Sequence, residues 1–118
     1  MVADGNRGVV QRLEAEGLDD VRFRLDGFPR ADHLIVDYAT RLDDPTAIAR
    51  EALHAASIIW QEFPAPLAQI LLQPRAAGME LPTYRATAEA LRARYGASAE
   101  DRTLEVRRPR NRWLQDRR

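Results

Sequence analysis

The sequence contains no cysteine and no lysine. Without cysteine, disulfides, thiolate nucleophiles and cysteine-held zinc or iron–sulfur centres are excluded. Without lysine, all 18 basic residues are arginine. We read this chiefly as codon bias in a GC-rich genome, together with the high alanine content. Serine is also scarce. Ser57 and Ser98 are the two examples, and neither lies in a Gly-x-Ser-x-Gly nucleophile elbow. No glycine-rich phosphate loop follows a strand pattern; the N-terminal "DGNRG" is too short and has no strand before it. No apolar stretch of signal-peptide length occupies the first thirty residues, and no window approaches the length of a membrane span. As written, the chain is expected to be cytoplasmic, or extracytoplasmic if an anchor lies outside it.

What is present fits one ordinary domain. The 118 residues are 45% hydrophobic and 31% charged, enough for a single modest core. Net charge is zero but unevenly placed. Residues 107–118 carry six arginines and one acid, while residues 1–106 carry twelve arginines and seventeen acids. Residues 13–44 alone hold nine acids against four arginines. A basic end of this kind finds partners in nucleic acid, in a membrane surface or in the protein's own acidic body.

Periodicity predicts the elements in order. "NRGVVQRLEAEG" reads as a short helix with Val9, Val10 and Leu13 on its apolar stripe and Gly17 as its stop. Val21, Phe23 and Leu25 alternate with Arg22, Arg24 and Asp26, the period of a half-buried strand, and Asp26-Gly27 ends it. A second strand, "DHLIVDYAT", places Leu34, Val36 and Tyr38 on one face and Ile35 and Asp37 on the other. The short connection predicts an antiparallel hairpin. Asp44 as N-cap and Pro45 at the first helical position open a helix over about 45–63, with Ile48, Ala52, Ala56, Ile59, Trp60 and Phe63 on one face. "LAQILLQP" reads as a third strand, and "MELPTYRAT" as a fourth that Pro82 confines to a sheet edge. Thr87 caps a last helix, "AEALRARYG", which Gly96 stops. The expectation is an α+β domain over 1–97, ordered α-β-β-α-β-β-α. One long helix packs on a three- or four-stranded, mostly antiparallel sheet. Residues 98–118 are expected to be a polar, arginine-rich tail.

The run from "AIAREALHAASIIWQEFP" to "TYRATAEALRARYG" resembles small soluble domains of uncharacterised actinobacterial membrane-anchored and lipoprotein-type proteins. The resemblance covers about residues 45–97 and rests on Trp60, Tyr84, Leu91, Tyr95 and Gly96. These are core and turn residues, so it implies a fold and carries no catalytic residue.

For chemistry the chain offers little. His33 and His54 are not spaced as in known metal motifs, and we read both as surface or core-edge histidines. The acidic pairs Asp19/Asp20, Asp43/Asp44 and Glu100/Asp101 read as capping and surface charges rather than an acid–base dyad. Trp60 and Phe63 read as core. No catalytic residue, metal site or cofactor is assigned. Two contact surfaces remain. One is the apolar excess on the second strand, where Ile35 lies beside Asp37 on the face opposite the core. A homodimer or protein partner would cover it, or else the N-terminal helix would. The other is the tail, whose Arg107, Arg108, Arg110 and Arg112 can neutralise phosphates while Trp113 stacks on a base. The function expected first is therefore a non-enzymatic protein-interaction or self-associating module. Nucleic-acid binding through the tail is the alternative, and an enzyme of unrecognised type comes third.

Overall fold

The computed structural model of the chain describes residues 2–102, with side chains from Arg7 onward. Its elements are α1 (Val2–Ala15), β1 (Asp19–Asp26), β2 (His33–Ala39), α2 (Pro45–Glu62), β3 (Gln69–Arg75), β4 (Tyr84–Thr87) and α3 (Ala88–Tyr95). The four strands form one sheet in the order β1-β2-β3-β4. The class and element order are those the periodicity predicts. The sheet is mixed: β1–β2 and β3–β4 are antiparallel, and the central pair β2–β3 is parallel. Parallel neighbours need a long crossover, and α2 supplies it.

Local chemistry explains where each element starts. The Asp44 carboxylate accepts the Ala47 N–H at 2.9 Å and Pro45 follows it, so α2 begins with an orphan donor satisfied and φ preset. The Thr87 hydroxyl accepts the Ala90 N–H at 3.2 Å to start α3, and Gly96, with φ +83°, ends it. The β1–β2 connection turns at Gly27, whose φ is +122°. A Cβ there would lie 2.6 Å from the Arg30 carbonyl oxygen, so only glycine fits.

All three helices pack on one side of the sheet. Their apolar faces share a single cluster with Leu34, Val36 and Tyr38 of β2 and Ile70 and Leu72 of β3. Val9 and Leu13 bring α1 into that cluster, and Leu91 brings α3. Trp60 is buried there and donates from Nε1 to the Gly96 carbonyl at 2.9 Å, tying α2 to the end of α3. Phe63 is buried too, edge-on to Phe23 at 6.0 Å. At the rim, Arg12 pairs with Glu62 at 2.7 Å and His54 with Glu16 at 2.8 Å, which clamps α1 to α2.

The folded body extends past the boundary expected at 97. Ser98 is buried, and its Oγ accepts the Asp101 N–H at 2.9 Å while Asp101 accepts the Ser98 N–H at 3.0 Å. This reciprocal cap opens a helical turn over residues 99–102. Arg92 donates twice to the same carboxylate, at 2.8 and 3.0 Å. The sequence reading missed it because a polar, charged stretch looks solvated until its partner, here Arg92, is in place. The expected tail contacts Arg107, Arg108, Arg110, Arg112 and Trp113 lie outside the described residues.

Candidate interaction surface

The strand period of two divides the sheet cleanly. With Leu34, Val36 and Tyr38 turned to the helices, Ile35 and Asp37 turn away. Register places Arg24, Ile35, Leu71 and Arg85 side by side across the four strands. A second row runs Arg22, Asp37, Gln73. Among the described residues no helix crosses this face, so α1 does not cover it. Of the two explanations for apolar residues on both faces of β2, the covering helix is thereby removed.

Ile35 is nonetheless only 8% exposed. It sits on a central strand between Arg24 and Leu71, and long arginine stems lie over apolar neighbours while their heads stay in water. A shallow depression of about 270 Å³ opens beside it, lined by Arg22, Arg24, Ile35, Asp37 and Gln73 with Phe23 at its edge. No phenylalanine, tyrosine or tryptophan alternates onto this face from any of the four strands.

The charges around the depression are organised. Arg75 donates to Asp37 at 2.6 Å and reaches Asp20 at 3.2 Å; Arg22 meets Asp20 at 3.3 Å. The hydrogen bond that Arg75 donates to Asp37 is the main cause that raises the Arg75 pKa above its ordinary value. Asp20 has φ +48°, at a bulge where the β1–β2 register shifts between Asp19 and Arg22. Aspartate tolerates this conformation better than most residues, and the bulge re-aims the strand. Asp19 and Asp20 consequently serve different arginines, Asp19 being held by two hydrogen bonds from Arg41 at 2.8 and 2.6 Å. Those bonds hold the Asp19 carboxyl below the usual carboxylate range. This pair is thus no dyad. Asp44 is occupied as a cap and Asp101 by Arg92 and Ser98, as described above.

The histidines are equally committed. His54 bonds Glu16 at an exposed helix–helix seam. His33 lies at the start of β2, 3.6 Å from Asp32 and 3.3 Å from the Gln69 amide. Among the described residues no three His, Asp or Glu side chains could together hold a metal ion. No helix among them is long and apolar enough to cross a membrane.

Sequence reasoning placed Ile35 and Asp37 on the face away from the core, where the register has them. It did not find Leu71, Arg24 and Arg85 as their neighbours, because pairing register between distant strands is not written in local periodicity. The marker residues Trp60 and Leu91 are buried in the core, with Tyr84 and Tyr95 packed at its margin. No protein-family model, no curated protein and no solved structure matches this chain.

Proposed function

We propose that this chain is a non-enzymatic interaction module that self-associates through the helix-free face of its sheet. The observation that carries the reading is the row Arg24, Ile35, Leu71, Arg85, which no described element covers. A second copy suits this face because it bears both signs. Arg22 stands opposite Asp37 and Arg24 beside Asp26, with Arg85 two strands away on β4, so a two-fold axis near Ile35 can set each sign against its opposite. With two apolar residues at its centre and charges around them, such an interface is weak and reversible rather than obligate. The engagement of His54, Asp19, Asp44 and Asp101 in structural contacts supports the non-enzymatic part of the reading.

Sedimentation velocity of the full chain over a range of concentrations tests it. Self-association is expected, and Leu71→Glu is expected to weaken it at least about tenfold by exchanging an apolar side chain at the centre for a hydrated carboxylate. A chain that stays monomeric at about millimolar concentration overturns the reading.

Nucleic-acid binding is favoured by the arginines at 107–118 and by nothing on the sheet, which lacks the aromatic platform that single strands stack upon. Its required outcome is RNA or DNA binding that falls with salt and disappears from a chain ending at Val106.

A further inference from the structure

The outer edge of β4 is a second surface, which meets the sheet face at Arg85. The Ala88 N–H donates to the Ala68 carbonyl at 2.8 Å, a bonded pair in register with Gln69–Thr87. Antiparallel ladders alternate. Ile70–Ala86 and Leu72–Tyr84 are therefore hydrogen-bonded pairs, whereas Leu71–Arg85 is not. The backbone N–H and C=O of Arg85 consequently point away from β3, toward the edge that no described strand pairs.

Two features flank those groups. On the helix side, a groove of about 150 Å³ runs between α2 and β4, lined by Ala49, Ala52, Leu53 and Ala56 from the helix and by Tyr84, Arg85 and Ala86 from the strand. Small alanines keep it open, and Leu53 at its rim is 37% exposed. An apolar cavity of about 150 Å³ accommodates a group the size of benzene, so the groove takes one large aliphatic or aromatic side chain. On the other side, the Arg85 guanidinium has no ion-pair or hydrogen-bond partner among the described residues, unlike Arg22, Arg75 and Arg92.

We infer that the β4 edge captures an extended peptide by strand addition, selecting an apolar residue next to an acidic one. An incoming strand would bond the outward N–H and C=O of Arg85. Its period of two would send one side chain into the alanine-lined groove and its sequence neighbour to the opposite face, beside the Arg85 guanidinium. Backbone pairing supplies adhesion, the groove selects size, and Arg85 selects charge. The partner is thus a segment of another protein in which leucine- or phenylalanine-type residues alternate with aspartate or glutamate. This goes beyond the open-face reading and does not depend on it; failure here leaves the self-association test untouched.

The test uses the full chain, uniformly labelled with nitrogen-15, and a capped hexapeptide of alternating leucine and glutamate. The same peptide with arginine for glutamate is the control. Saturable binding is expected, with the acidic peptide preferred about tenfold or more, and hydrogen exchange at the Arg85 amide slowed on binding. Arg85→Glu is expected to reverse the peptide preference. Ala49→Leu, which narrows the groove from the helix side, is expected to weaken both peptides. No saturation at about 1 mM peptide, or binding indifferent to the charge reversal, overturns the proposal. So does protection at β1 in place of Arg85. An Arg85 amide already protected in the free chain also overturns it. Protection at every concentration would assign the edge to the chain's own remaining residues, and protection that grows with concentration would assign it to a second copy.

Discussion

Single side chains in this fold mark where stability concentrates. Tyr38 is fully buried, yet its hydroxyl has no hydrogen-bond partner among the described residues. Burial, reinforced by the nearby Glu51 carboxylate and by Tyr84, raises its pKa far above the ordinary phenol range. A buried hydroxyl without a partner costs about 1–3 kcal/mol, so Tyr38→Phe is expected to hold or raise the midpoint of urea unfolding. A lower midpoint would show that the hydroxyl has a partner. Asp101 is the opposite case. The Arg92 hydrogen bonds, with help from Ser98, hold its carboxyl down at about 2, against 3.8 unperturbed. A carboxylate whose pKa is depressed by folding adds stability that is complete above the unfolded value and is lost as pH falls through the folded one. Unfolding measured between about pH 5 and pH 2 should therefore lose a component in Asp101→Asn, which removes that part of the acid dependence. Removing the reciprocal cap with Ser98→Ala is expected to cost about 1 kcal/mol at neutral pH.

At the scale of elements, the question is what seats α1 against the rest. Two exposed ion pairs and a buried stripe both join it to α2, and their magnitudes differ. An exposed pair such as Arg12–Glu62 contributes at most about 1 kcal/mol. Leu13 is fully buried in the shared cluster, and truncating a buried leucine costs about 2–5 kcal/mol. Chemical denaturation should accordingly rank Leu13→Ala far below Arg12→Ala in stability; equal effects would mean that the seam is held by charge. The Glu16–His54 contact belongs to the same seam. It lowers the Glu16 pKa below its ordinary value, so its contribution is present above about 4.5 and fades as pH falls. Edge strands differ in the same practical way. β1 presents Arg22, Arg24 and Asp26, and such charges blunt edge pairing. β4 has four residues with a proline shortly before them, and Arg85, without a partner among the described residues, leaves a short docking edge rather than an aggregation-prone one.

For the molecule as a whole, one layer of helices on one face of a sheet leaves two sides with different duties. The helix side supplies the core, and its substitutions are expected to appear in unfolding. The opposite side carries Leu71 and Arg85, whose substitutions are expected to appear in association. Leu71→Glu should shift the thermal midpoint by only a few degrees, consistent with about 1 kcal/mol or less, while it weakens self-association at least about tenfold. A large loss of stability with unchanged association would place Leu71 in the core instead. Net charge adds a constraint at this scale. The described body is acidic and the balance lies in residues 107–118, so association that uses those residues should weaken with salt more steeply than association through the sheet.

Much of this was legible in the residues themselves. Alternation along 33–38 separated Leu34, Val36 and Tyr38 from Ile35 and Asp37, and the helix starts at Asp44 and Thr87 followed from side chains that satisfy orphan N–H groups within three residues. These are local effects, and local sequence specifies them because both partners lie within one turn or one strand. Tertiary structure decided the parallel pairing of β2 with β3, the seating of α1 on the helix side, the bulge that parts Asp19 from Asp20, and the docking of Ser98–Asp101 on Arg92. Each of these joins groups far apart in the chain. Their energies depend on register and approach, which no window of residues contains.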